Sequence, residues 1–185
     1  LILGYGQDDR VCAYTSLAAM LSMDTVVRPA CCLLVDKEEI GSVGATGMTS
    51  LFFENTMAEI LALAGEPGDL ALRRCLARSS MLSSDVSAGF DPTYASAFEE
   101  KNAFLGRSVV FNKFTGSRGK AGSNDANAEY MARIRAVMEK GGAAFQTAEL
   151  GKVDVGGGGT IAYILAQYGM EVIDCGVPVL NMHAP

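Results

Sequence analysis

Ala30-Cys31-Cys32-Leu33-Leu34-Val35-Asp36-Lys37-Glu38-Glu39-Ile40-Gly41-Ser42 is the stretch on which the fold turns. Its opening is a continuous apolar run, too short for a helix of its own. Such a run reads as a central strand buried on both faces, as in a mostly parallel sheet. The run ends in two adjacent carboxylates entering a glycine loop. Glu38 and Glu39 can share the chemistry between them, one holding a metal ion while its neighbour takes a proton from water that the metal acidifies, which is hydrolase chemistry. The plainer reading is a solvated turn with two surface acids, the usual fate of an isolated Glu-Glu. The residues elsewhere in the chain decide between the two.

Around this run, helices and strands alternate. Residues 10–23 place Val11, Tyr14, Leu17, Ala18 and Leu21 at helical spacing, so an amphipathic helix follows Gly6-Gln7-Asp8-Asp9. Residues 48–64 read as a helix that Gly65-Glu66-Pro67-Gly68 breaks, 69–77 as another, and 79–86 as a strand with Asp85 at its end. A strand over 108–114 follows, then a basic, glycine-rich loop over 115–122. Ser123 or Asn124 is the expected cap of a helix that Gly141-Gly142 ends, with a strand over 143–148 after it. Gly156 to Gly159 lead into a helix near 161–168, and strands over 171–174 and 177–181 close the pattern. The alternation predicts one α/β domain, a mostly parallel sheet with helices on both faces.

Composition narrows the function. The chain has 185 residues, 49% hydrophobic and 19% charged, with 21 glycines, which describes a loop-rich globular domain rather than a disordered one. A net charge of −6 argues against nucleic acid, whose binding rests on Lys and Arg neutralising phosphates. No apolar stretch approaches the roughly 18–20 residues of a membrane span, and no signal peptide is expected. The five cysteines show no Cys-x-x-Cys spacing and read as buried, reduced thiols of a cytoplasmic protein. The loop from Gly41 to Thr49 has the glycines of a phosphate-binding loop, but Met48 stands where its lysine belongs, and the two acids before it would repel phosphate. Both ends look like interrupted structure, so the chain reads as part of a longer polypeptide.

Ligands of such sheets gather outside the carboxyl ends of the strands. Polar residues able to bind metal stand at several expected strand ends: Asp8, Glu38, Glu39, Asp85 and His183, the single histidine. Five short motifs then fall in the order found in aspartyl aminopeptidases: Gly6-Gln7-Asp8-Asp9-Arg10, Asp36-Lys37-Glu38-Glu39-Ile40-Gly41-Ser42, Ser83-Ser84-Asp85, Gly156-Gly157-Gly158-Gly159-Thr160-Ile161 and Asn181-Met182-His183. Over nearly its whole length the chain resembles the C-terminal half of the catalytic domain of that dinuclear zinc family, with its zinc-dependent exopeptidase-like (phosphorylase/hydrolase-like) fold.

The resemblance implies roles. Asp8 would bridge two zinc ions, and the Asp8-Asp9 peptide would be cis. Glu39, Asp85 and His183 would complete the metal shells, with cobalt or manganese as substitutes for zinc. Glu38 would be the general base. Asp9 and Asp36 would stand behind the ligands, while Lys113, Gly157, Gly158, Gly159 and Thr160 would meet the peptide substrate. The family also implies a homo-oligomer, a dodecamer, and a preference for acidic first residues, Asp or Glu. Its first zinc-binding histidine lies N-terminal to every motif here, and its inserted dimerisation domain has no counterpart in these residues. Two rival readings remain: a metal-dependent carboxypeptidase or deacylase of the same wider fold, and a non-catalytic partial chain with an incomplete metal site.

Overall fold

The computed structural model describes residues 2–99, 102–117, 121–152, 155, 158 and 160–184. Its main sheet has four strands in the order β1 (Ser80–Ser84), β7 (Glu171–Gly176), β3 (Val109–Asn112) and β6 (Phe145–Ala148). β1 runs parallel to β7 and β3 parallel to β6, while β3 and β7 are antiparallel. Two short parallel strands, β2 (Ser87–Ala88) and β8 (Pro178–Val179), extend the β1–β7 pairing. A backbone ladder continues through them: Asp85 N donates to Cys175 O at 3.0 Å, Ser87 N to Val177 O at 2.9 Å and Gly89 N to Val179 O at 2.7 Å.

Strand periodicity puts neighbouring side chains of β7 on opposite faces. Val172 packs with Ala162, Ile164 and Leu165 of α5 (Ala162–Ala166). Ile173, fully buried, packs on the other side with Tyr130 of α4 (Ala128–Lys140) and with Phe111. The helices therefore cover both faces, as the alternating pattern predicts. α2 (Phe52–Leu63) and α3 (Asp69–Ala77) flank them, with α3 spanning the residues expected of it and α2 starting later than expected. The α4 cap is Asn127, whose side chain accepts from Tyr130 N at 2.7 Å. Ser123 and Asn124 lie instead in a hairpin, β4 (Phe114–Ser117) against β5 (Ala121–Asp125), where the sequence reads as a loop. Inward-facing Thr115 and Asn124 explain the difference, because they fasten the hairpin to β7: Asn124 Nδ2 donates to Val172 O at 3.1 Å.

Residues 30–36 depart from expectation. They lie outside every strand, with one bridge from Asp36 to Gly47. Leu33 and Val35 pack on the α5 cluster while Leu34 is 58% exposed. A strand needs a hydrogen-bonded neighbour along its length as well as an apolar sequence, and among the described residues this segment has no more than the Asp36–Gly47 bridge. α1 (Gln7–Leu21) begins and ends earlier than the 10–23 expected, and Tyr14, Leu17 and Leu21 of its apolar face are exposed while Cys12 alone in it is buried. All five cysteines are free; Cys31 is exposed rather than buried, and Cys32, Cys75 and Cys175 are half-buried. No helix among the described residues is long and apolar enough to cross a membrane.

Gly176 marks the tightest point of the β1–β7 pairing, since a Cβ there would lie 1.4 Å from Asp85 O. Gly176→Ala is expected to force the strands apart and cost about 3 kcal/mol in urea unfolding. Gly141→Ala, whose Cβ would meet Val137 O at 3.4 Å, is expected to stay within about 0.5 kcal/mol.

Candidate metal and catalytic site

Each candidate residue is delivered by a local backbone device. Gly6 takes a left-handed conformation, φ 72°, and turns the chain into α1, so that Asp8 enters the first turn. The Asp8-Asp9 peptide is cis. Glu38 and Glu39 open a short 3-10 helix, Glu38–Ile40, which Gly41 closes with its N–H on Glu38 O at 2.9 Å. Asp85 follows β1 directly, and its Oδ1 accepts from Val86 N at 2.6 Å. His183 follows β8, in a turn where Asn181 Oδ1 accepts from Ala184 N at 3.2 Å.

These devices converge. His183 Nε2 lies 3.1 Å from Asp8 Oδ2 and 2.8 Å from Glu39 Oε1. One donor atom from each of the three residues lies within 4.8 Å of the others. Glu38 and Asp85 line the same cavity, of about 410 Å³, with Gly158 and Thr160 in its wall. The sequence did not mark Phe98, Leu150 or Gly151, which also line it. They lie outside the helices and strands, where no periodicity distinguishes a wall from a surface.

The cavity is electrostatically uncompensated. Burial, then the charges of Glu39, Asp8 and Asp9, raises the Glu38 carboxyl above its ordinary range, against a smaller lowering by His183. Burial, then repulsion from Asp9, pushes Asp85 up to about 8 despite the bond from Val86 N. Asp9, behind the cavity, rises to about 6 chiefly through burial, and its Oδ1 is buried with no hydrogen-bond partner. No lysine or arginine stands among the described lining residues. Carboxylates and an imidazole gathered without a counter-cation form an oxygen and nitrogen donor set that fits a divalent ion such as zinc.

Other expected site residues lie elsewhere. Lys113 forms an ion pair with Asp125 rather than lining the cavity. Asp36 pairs with Lys37 at 2.8 Å, accepts from Thr46 Oγ1 at 3.0 Å and borders a separate groove. Neither residue is among those that line the cavity. Lys113 sits just past β3 beside β4, where its ammonium meets the Asp125 carboxylate of the hairpin, and Asp36 turns toward the 3-10 helix entrance. Gly157 and Gly159 lie outside the described residues.

A family model described as aminopeptidase I zinc metalloprotease (M18) matches residues 1–185. The chain is 62% identical to a probable M18 family aminopeptidase 1 of Clostridium acetobutylicum, over 100% of this chain and 40% of that protein. It is 45% identical to the Thermotoga maritima protein of the same name, covering 100% of this chain and 41% of that protein. Aspartyl aminopeptidase 1 of Schizosaccharomyces pombe is 27% identical over 94% of this chain and 36% of its own length. The crystal structure of aminopeptidase I from Clostridium acetobutylicum matches with a TM-score of 0.87 at 62% identity, over 98% of this chain and 39% of that one. The Thermotoga maritima structure matches with a TM-score of 0.90 at 43% identity, over 98% and 41%. The chain thus spans about 40% of the length of the curated relatives it matches.

His183→Ala removes the one imidazole of the cluster. In calorimetric titration with zinc, the affinity is expected to fall by more than the roughly 10–100-fold typical of losing a residue behind a ligand.

Proposed function

We infer that this chain, which belongs to the aminopeptidase I zinc metalloprotease (M18) family, forms part of the catalytic domain of an enzyme that removes the N-terminal residue of peptides. The observation that carries the reading is the meeting of Asp8, Glu39 and His183 at one side of a cavity that Glu38 and Asp85 also line. Asp8, Glu39, Asp85 and His183 would hold two zinc ions, and cobalt or manganese suits the same donors. Bound zinc supplies Lewis acidity, polarising a peptide carbonyl and making water more acidic.

The protein's own residues supply the rest. Glu38, partly buried among like charges, takes a proton from the attacking water onto a carboxylate oxygen and gives it to the leaving amine nitrogen. The free α-amino group of a peptide is a cation at neutral pH, and the acid-lined cavity attracts it. This favours chain ends over internal bonds. Gly158 and Thr160 offer a wall that substrate backbone can approach. The name of the Schizosaccharomyces pombe relative raises an acidic first residue as the preference. The lack of a basic residue among the described lining weighs against it.

The remaining parts of the proposal rest on resemblance. A longer polypeptide supplies the further zinc-binding histidine, and the assembly is a homo-oligomer, a dodecamer. The free cysteines support a cytoplasmic location.

In the complete polypeptide, Glu38→Gln is expected to lower kcat by about 10²–10⁴-fold while zinc content, measured by elemental analysis, is retained. An N-terminally blocked peptide should resist cleavage that its free-amine counterpart undergoes, and equal cleavage of both would refute an aminopeptidase. Rates on aspartyl, glutamyl and leucyl substrates rank the preference. The 185-residue chain alone is expected to turn over little or no peptide.

A further inference from the structure

The cavity has an apolar part that the proposed chemistry does not use. Val86, Ala88, Ala97, Phe98, Leu150 and Met182 line it together with the acids, and none of these six side chains carries a charge. Phe98 is the largest of them. It directly follows the 3-10 helix Pro92–Ala97 in an extended conformation, φ −115° and ψ 150°, and is half-buried. Asp91 caps that helix, its Oδ1 accepting from Thr93 N at 2.8 Å. Lys152 N donates to Ala97 O at 2.8 Å, which ties the segment to the stretch carrying Leu150.

A second ring packs on Phe98 and has anchors of its own. The Phe90 and Phe98 ring centroids lie 5.5 Å apart with their planes at 68°, the edge-to-face arrangement that aromatic pairs favour. Phe90 also packs on Phe104, 5.7 Å away. Its backbone is fixed by Phe90 N donating to Ala103 O at 2.7 Å and by Gly89 N donating to Val179 O at 2.7 Å. Gln146 of β6 clamps Phe104 in turn, accepting from its N–H at 2.9 Å and donating to its carbonyl at 3.1 Å. A line of contacts therefore runs from the main sheet to the Phe98 ring. A ring fixed in this way is a preformed apolar surface, which a ligand can use without the cost of ordering it.

We propose that Phe98 contacts the side chain of the substrate's first residue and selects an apolar one, and that Phe90 is a positioning residue which holds the Phe98 ring in place. The proposal deepens the reading of the cavity as an aminopeptidase site and rests on it. In that reading the acidic residues attract the α-amino group. The first side chain hangs from the same carbon as that amine, so it stays within the same cavity, where Phe98 offers it apolar contact. An acidic side chain would lose water there and meet carboxylates instead of a base.

The test uses the complete zinc-loaded polypeptide with Phe98→Ala, Phe98→Leu, Phe90→Ala and the double variant Phe90→Ala/Phe98→Ala, and reads the ratio of kcat/KM for leucyl and alanyl substrates. A loss of folded protein scales both rates alike, so the ratio reports the contact itself. Phe98→Ala is expected to lower the ratio about tenfold, the scale of a methylene in an apolar pocket, with zinc content unchanged. Phe98→Leu keeps an apolar wall and should stay within about threefold of the unaltered protein. Phe90→Ala should lower the ratio in the same direction, and the double variant should match Phe98→Ala, since Phe90 acts through Phe98. An unchanged ratio in Phe98→Ala overturns the contact, and a double variant clearly below Phe98→Ala overturns the role of Phe90. Calorimetric titration with free leucine and free alanine reads the same contact without turnover: Phe98→Ala should weaken leucine about tenfold and alanine by less than about twofold. Should the unaltered protein bind zinc but cleave no free-amine peptide, the aminopeptidase reading fails, and leucine binding alone decides the role of Phe98, equal affinity in Phe98→Ala overturning it.

Discussion

Four carboxylates share one cavity with a single imidazole, and that crowding of like charge is the constraint the rest of the structure answers to. Asp8, Glu38, Glu39 and Asp85 border a space of about 410 Å³. Two unit charges about 4 Å apart interact by about 4 kcal/mol near a protein surface. The raised pKa values of Glu38, Asp85 and Asp9 register this repulsion on top of burial. A cation is the direct remedy, and the arrangement makes chemical sense around one.

The fold resists the repulsion by mounting each acid on backbone hydrogen bonds. Glu38 and Glu39 begin a 3-10 turn closed by Gly41 N on Glu38 O at 2.9 Å and Ser42 N on Lys37 O at 2.7 Å. Asp8 enters α1 behind a left-handed glycine. Asp85 is held by its own N–H on Cys175 O. The packing of α4 and α5 on opposite faces of β7 holds that strand between them, through Ile173 on one side and Val172 on the other.

Much of this was legible in the sequence, for identifiable reasons. His183 follows the apolar run Val177-Pro178-Val179-Leu180, so its place after a strand could be read directly, while Asp85 follows a serine-rich strand, Ser80–Ser84, and was legible as the acid at its end. Glu38-Glu39 was legible as a turn after an apolar run. The run itself misled: residues 30–36 have the composition of a central strand, but whether an extended segment joins a sheet depends on a neighbour that its own sequence does not name. The same holds for α1, whose periodicity predicts a helix correctly but cannot say that anything covers Tyr14 and Leu21. Lys113 shows a third limit. Its position in the chain was plain, while its engagement by Asp125 depends on a hairpin that glycine and serine content disguised as a loop.

The ladder from Asp85 to Gly89 along Cys175 to Val179 carries a mechanical implication. Asp85 stands at its start, and His183 follows its far strand by only a few residues. Both donors therefore ride on a single rail. Breathing of the sheet edge would carry them as a pair, preserving the gap between them. The 3-10 turn bearing Glu38 and Glu39 comes from another part of the chain and meets that rail across the cavity, where Glu39 Oε1 lies 2.8 Å from His183 Nε2.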